Sequence, residues 1–260
     1  MSLTQLRYLT EMKKNFGYNA TWEPDVKLKL GDVGIFKDMV FTKATDLATF
    51  GVDFKINKEY SKIPLEYATK AKVKLTPKLS NMPPPNESKL KHADTGISVE
   101  FYKENAVYFK ANNICLNAIK DTTILGNQIL RLFRENRWNK NWAIITELIQ
   151  ADHCTVLISD HDDSKIELKA NSPVSINTID LAEADNRFSV EHTKGLNMSI
   201  ISALHLTPLY KLMGMKSRIF FPPILTANGL QAFDLVTPKS ASNEHRDYLY
   251  FGYLSDNIRE

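Results

Sequence analysis

The feature that most narrows what this chain can fold into is the two-residue alternation of apolar and polar side chains between Ile97 and Ala170. It runs through Ile97-Ser98-Val99-Glu100-Phe101-Tyr102 and resumes at Val107-Tyr108-Phe109-Lys110 after a polar turn at Lys103-Glu104-Asn105. It returns in Trp142-Ala143-Ile144-Ile145-Thr146-Glu147-Leu148-Ile149, in Thr155-Val156-Leu157-Ile158 and in Lys165-Ile166-Glu167-Leu168-Lys169. A strand of this period buries one face and leaves the other to water. The pattern predicts a hairpin over 97–110, one amphipathic helix, then a second alternating run. Such a chain works through a surface and not through a deep catalytic pocket.

The flanking sequence supplies helices and shorter strands. Leu3 to Phe16 reads as a helix with Leu6, Leu9 and Met12 on one face, Lys13-Lys14 in its last turn and Gly17 as its stop. Tyr18 to Phe54 predicts short strands and turns, with Val26–Leu30 alternating, Gly31-Asp32-Val33-Gly34 as a turn, and Thr45–Phe50 as a helical turn capped by Gly51. Leu65–Thr76 predicts one strand in which Val73 and Leu75 sit between Lys70, Lys72, Lys74 and Lys78. Pro77 and Met82-Pro83-Pro84-Pro85-Asn86 end it, and the polar sequence to Thr95 predicts a long excursion between two paired strands. Asp121 caps a helix to Asn136 with Ile124, Ile129, Leu132 and Phe133 on one face and Arg131, Arg134, Arg137 and Lys140 at its basic end. Ala182–Lys216 reads as mixed, with apolar runs at Phe188–Val190 and Met198–Leu204 and a short helix at Pro208–Met213 ended by Gly214, and Tyr248–Tyr253 lies in an aromatic tail.

With 260 residues, 43% apolar and 24% charged, the chain is long enough and apolar enough to bury a core. Its charge is uneven. Through Lys91 there are 16 Lys+Arg against 10 Asp+Glu, a net +6, and beyond it 17 against 20, a net −3. The N-terminal third is therefore the expected partner of anionic lipid, nucleic acid or an acidic protein. Only Cys115 and Cys154 are present, which excludes a disulfide scaffold and fits a reducing compartment. The start, Met1-Ser2-Leu3-Thr4-Gln5-Leu6-Arg7-Tyr8, carries no basic-then-apolar leader, and no apolar run reaches the ~20 residues of a membrane helix.

Enzymatic chemistry finds little support. His153-Cys154 with Asp160-His161-Asp162-Asp163 holds ligand types for zinc, but the acidic run lacks the glycine and distal glutamate of a calcium loop and falls where a turn is expected. Gly31–Gly34 lacks the Gly-Lys-Ser/Thr of a phosphate loop, no nucleophile elbow occurs, and Glu147 suits an outward strand position. No catalytic residue, metal or cofactor is expected. The lysines from Lys70 to Lys91 include only Tyr67 as a neighbouring aromatic, so single-stranded nucleic acid is a poor fit. Lysines alternating with apolar residues suit a strand lying on an anionic membrane or lining a wet pore.

In this order the elements resemble the pore-forming domain of gasdermins. The resemblance rests on the helix 121–136 leading into Trp142-Ala143-Ile144-Ile145-Thr146-Glu147-Leu148, and on Lys194-Gly195-Leu196-Asn197-Met198-Ser199-Ile200-Ile201-Ser202-Ala203 at the place of a glycine turn and closing strand. It covers about 65–215 and more weakly the first 60 residues. It implies an α+β fold, a twisted, mostly antiparallel sheet with flanking helices, in a pore-forming domain 1–215 followed by a tail 216–260; either this tail restrains the domain or release of a repressor segment is not the trigger. It also implies a protein that is cytoplasmic when inactive and at the cell membrane when active. There it would bind acidic lipids, assemble with itself and insert β-hairpins, for which Leu65–Thr76 with Ile97–Ala111 and Trp142–Ile158 with Ser164–Ala170 are the candidates. An activating protease or a paired partner protein is a further implied partner. Lys13, Lys14, Lys70, Lys72, Lys74, Arg131, Arg134 and Arg137 are the expected lipid contacts, and Tyr248–Leu254 is expected to dock over an apolar surface. The lipidated N-terminal cysteine of bacterial members has no counterpart here, which speaks against lipid-assisted insertion. Two other readings compete: a non-enzymatic module binding protein or nucleic acid through the Lys-rich strand, and a metal-dependent hydrolase using His153 and His161.

Overall fold

The computed structural model describes residues 1–22, 26–78, 96–170, 188–218 and 248–254. Over these the chain is α+β and mostly antiparallel, with two α-helices among its strands. It divides into two compact units, Met1–Val26, Tyr60–Cys115 and Gln150–Pro208 in the first, and Lys27–Glu59, Leu116–Ile149 and Leu209–Glu260 in the second. Three long strands, β8 (Val107–Ile119), β9 (Trp142–Ser159) and β12 (Leu196–Arg218), contribute residues to both.

The first unit opens with α1 (Leu3–Phe16). Ser2 caps it by accepting from the Gln5 amide at 3.1 Å, and Gly17, at φ 72°, closes it in the left-handed region where glycine carries no Cβ penalty. Tyr8, Leu9 and Met12 are buried, and Phe16 packs on Phe109 with ring centroids 5.4 Å apart. The unit's second feature is a four-stranded antiparallel sheet. Its order is β11 (Phe188–Lys194), β10 (Ser164–Ala170), β7 (Gly96–Phe101), β6 (Val73–Lys78). Ile97, Val99, Phe101, Ile166 and Leu168 from this sheet form a core with Ala106, Tyr108 and Leu157, against which Ala68, Val73, Leu196 and Ile201 pack.

In the second unit β2 (Asp32–Lys37) pairs with β3 (Val40–Asp46) through a two-residue turn, Asp38-Met39, both at positive φ as a primed hairpin turn requires. A 3₁₀ turn at Leu47–Phe50 follows, capped by Asp46 and ended by Gly51. Helix α2 (Thr122–Arg134) begins where the Asp121 carboxylate accepts from the amides of Thr123 and Ile124 at 3.1 and 3.0 Å. It buries Leu125, Ile129, Leu130 and Leu132 in a cluster with Val33, Leu47, Trp138 and Phe251. Phe50, Trp138 and Trp142 stack edge-on beside it, with centroids 5.2 to 5.6 Å apart. The last strand, β13 (Tyr248–Tyr253), pairs antiparallel with β12 from Met213 to Arg218.

Several expectations require correction. Leu65–Thr76 is two strands, β5 (Leu65–Ala68) and β6, parted by a turn at Lys70–Lys72. Of Gly31–Gly34 only Gly31 lies in a turn, because β2 already begins at Asp32, and Val26–Leu30 forms no strand. Pro208–Met213 is strand, because Leu206, Leu209, Tyr210, Leu212 and Met213 are buried along β12. Trp142–Ser159 is a single strand, and Ile124 is 57% exposed, outside the buried face of α2. The predicted excursion at Met82–Thr95 lies outside the described residues.

Phe101, fully buried in the first unit's core, and Tyr102, 43% exposed beside it, give a paired test. Phe101→Ala should lower the unfolding free energy by ~3–5 kcal/mol in urea titrations, whereas Tyr102→Ala should stay within ~0.5 kcal/mol. Burial pushes the Cys154 thiol up from 9.0 to about 12. The folded state therefore holds this proton where the unfolded chain loses it, and stability should fall as pH rises from 9.0 towards about 12. Cys154→Ala should flatten that part of a stability-against-pH curve.

Candidate functional site

The strand order of the four-stranded sheet is repeated in the strands that continue from it. β6, β7, β10 and β11 pair in the order β6-β7-β10-β11, and their chain neighbours β5, β8, β9 and β12 pair in the order β5-β8-β9-β12. Each strand of one layer passes directly into a strand of the other at a sharp corner. One residue at each corner is left-handed: Ala71 at φ 55°, Asn105 at 54°, Asp163 at 61° and Gly195 at 65°.

The predicted hairpins are thereby overturned. β7 and β8 do not pair with each other, nor do β9 and β10, because each pair crosses between layers. The true antiparallel ribbons are β6 with β7, joined through 79–95, and β10 with β11, joined through 171–187.

Hydrogen bonds stitch the corners into a seam. Thr69 donates its amide to Val107 O at 3.0 Å, and Tyr102 donates to Lys72 O at 2.9 Å. The Asn105 amide reaches Ser159 O at 3.0 Å, and the Asp160 amide reaches Gly195 O at 2.8 Å. Ser159 Oγ donates to Lys103 O at 2.7 Å and accepts from the Ala106 amide at 2.8 Å. The Asp162 carboxylate accepts from the Glu104 amide at 2.9 Å. The His161 ring lies over Gly195, where any Cβ would strike it.

Helix α1 joins this seam: Thr4 Oγ1 donates to Asn105 Oδ1 at 2.6 Å and accepts from Asn197 Nδ2 at 3.0 Å. Farther along α1 the Glu11 carboxylate accepts from Tyr67 Oη on β5 at 2.5 Å. Burial first, then this bond, raises the Tyr67 phenol above its usual value.

The ribbon sheet has two unlike faces. Its apolar face is the core already described. On the other, cross-strand rows run Lys74–Glu100–Lys165–Lys194 and Thr76–Ser98–Glu167–His192, with Lys169 opposite Gly96 and Ser189 in the next. Lys165 Nζ lies 2.6 Å from Glu167 and 3.5 Å from Glu100, and its pKa is raised, first by the bond to Glu167. A bulge leaves Glu191 as the extra residue, so that Val190 stands opposite Leu168.

The expected lipid contacts fall into separate groups. Lys13 and Lys14 end α1, whose outward residues Leu3 and Leu6 are 81% and 41% exposed. Lys70 and Lys72 lie in the corner after β5 and only Lys74 is on a strand, so the Lys-rich strand of the sequence is half turn. In the second unit Arg131 and Arg134 are exposed on the last turn of α2, and Arg137 follows it, 3.4 Å from Glu135. Arg131 and Arg134 line a cavity of about 390 Å³ with Ile124, Asn127, Gln128 and Leu130.

His153 and His161 form no metal centre: among the described residues no three His, Cys, Asp or Glu side chains come together to hold an ion. Asp160–Asp163 is a corner, and Cys154 is wholly buried.

The docking expected of Tyr248–Leu254 takes the form of strand β13. Phe251 sits against Gly126 of α2, where a Cβ would come within 3.3 Å of its ring. Tyr253 Oη donates to Glu147 at 2.7 Å, and Lys211 Nζ lies 2.9 Å from the same carboxylate. Burial and the Glu147 contact raise the Tyr253 phenol well above its usual value.

A left-handed alanine costs ~1–2 kcal/mol. Ala71→Gly should therefore raise the unfolding free energy by ~1 kcal/mol, measured by urea titration. No family model matches the chain, and no curated protein matches it.

Proposed function

We propose that this protein is a membrane pore former of the gasdermin type, which binds acidic lipid, assembles with copies of itself and inserts its two ribbons as part of a transmembrane β-barrel. The observation that carries this reading is the matched strand order across the seam. Opening all four corners would join β5 to β6, β7 to β8, β9 to β10 and β11 to β12 without breaking any strand pairing. The product is one sheet of four long strands.

The energetics favour lipid as the acceptor. Ile97, Val99, Phe101, Ile166 and Leu168 each contribute roughly 1.5–3 kcal/mol by being buried, so exposing them to water is prohibitive. Moving the same side chains from core to hydrocarbon is close to neutral, because lipid tails are as apolar as a leucine core. A sheet edge cannot stand bare in a bilayer, which demands closure. With an even number of strands per copy, the β11 edge of one meets the β6 edge of the next antiparallel. A crossing strand needs ~9–11 residues. β6 has six residues and β10 has seven, and each lengthens past that span once its corner opens onto β5 or β9.

Recruitment falls to the basic groups at Lys13, Lys14, Lys70, Lys72, Lys74, Arg131, Arg134 and Arg137, each worth about 1 kcal/mol beside an anionic surface. Leu3 and Leu6 give α1 an apolar outer edge to rest in the interface. In this reading the protein is cytoplasmic before activation and at the cell membrane afterwards. β13 acts as the restraint: it covers the β12 edge that would otherwise be open to another chain.

Leu75 and Val190 provide a test that spares the soluble fold. Both belong to the apolar face by register, opposite Val99 and Leu168, yet they are 39% and 54% exposed. Leu75→Lys and Val190→Lys should leave the melting temperature and vesicle binding unchanged. Each places a charge against lipid at a cost of ~2–4 kcal/mol per copy, so dye release from vesicles rich in anionic lipid should be abolished. Undiminished release in both variants, or wild-type release that ignores anionic lipid, rejects the proposal.

A further inference from the structure

We infer that the channel made from this sheet is lined by net positive charge and passes anionic solutes in preference to cations; this rests on the proposed function and adds its selectivity. In a barrel that turns its apolar face to lipid, the opposite face meets the water-filled interior. Among the described residues that these registers pair on that face, Lys74, Lys165, Lys169 and Lys194 outnumber the carboxylates Glu100 and Glu167.

Both carboxylates lie within ion-pair distance of the same cation, Lys165, at 3.5 and 2.6 Å. Glu100 and Glu167 thus sit on the two central strands, while Lys74 and Lys194 occupy the flanking strands β6 and β11. In a ring of copies those flanking strands become neighbours, and the cations of adjoining copies reinforce one another. Every row is repeated in each copy, so the charges form rings, the device by which pores select the sign of their ions. His192, opposite Glu167, adds to the positive sum whenever it is protonated.

The test is electrical. The full chain is added to planar bilayers containing anionic lipid, and the reversal potential is read across a tenfold potassium chloride gradient. At ~10 mM salt the screening length is ~30 Å, and the reversal potential should take the sign set by chloride; near 1 M, where screening acts within ~3 Å, it should collapse towards zero. Lys169→Glu with Lys194→Glu should reverse the sign at low salt. Lys169→Gln with Lys194→Gln, a gentler change for the fold, should reduce the chloride preference without reversing it. A low-salt potential near zero, or of potassium's sign, overturns the inference while the pore reading stands. The same holds if neither pair of substitutions moves the potential. If the bilayer shows no conductance at all, the pore reading fails and the selectivity falls with it.

Discussion

The first unit depends on one contact: the apolar side of the ribbon sheet lying against the strands that continue from it. Phe101, Val99 and Ile166 are wholly buried there, and the Tyr108 hydroxyl of the same cluster donates to Glu66 at 3.2 Å. As apolar burial, the contact is non-directional. It is held in place by geometry at the rim, where the corners turn the chain through left-handed residues and backbone amides find carbonyls across the seam. A layer kept by burial and bounded by hydrogen bonds can be exchanged for another apolar medium. A layer kept by interior ion pairs could not be, because breaking such pairs leaves uncompensated charge.

Helix α1 adds a second kind of control. Its inner residues Tyr8, Leu9 and Met12 are wholly buried, while Thr4 touches two of the corners and Glu11 holds Tyr67 just before a third. The same helix presents Leu3, Leu6, Lys13 and Lys14 on or near its outer side. One short element therefore carries both a surface suited to an anionic interface and the polar contacts that secure the seam. In the second unit β13 plays a comparable part with different chemistry. An aromatic residue wedged on a glycine and a phenol bonded to a carboxylate attach a strand to the edge of β12.

Much of this was legible in the residues. The cap Asp121, with the stops Gly17 and Gly51, fixes helix and turn ends through local chemistry, and a local rule reads it. Period-two alternation located β7, β9 and β10 for the same reason. Pairing was not legible, because alternation reports which face is buried and not which strand lies alongside. Lys103-Glu104-Asn105 has the composition of a hairpin turn, yet it turns the chain between layers, and only the distant partners Ser159 and Asp162 decide that. Pro208–Met213 looked helical because leucines and a tyrosine fall at helical spacing, but burial on both faces of a central strand overrides that signal. The charged rows became visible only once the registers were known, although the alternating Ser164–Ala170 already held half of the central pattern.

Ser159 has a consequence for motion. Its hydroxyl and backbone engage Lys103, Asn105 and Ala106 at one corner while it ends the strand that leads to the next. The neighbouring Asp160 amide binds Gly195 at a third corner, and Thr4 spans the outer two. The two ribbons thus share a pivot at Asn105–Ser159. A thermal fluctuation that lifts the chain at this corner loosens bonds that also secure the other ribbon, so the motions of the two are coupled.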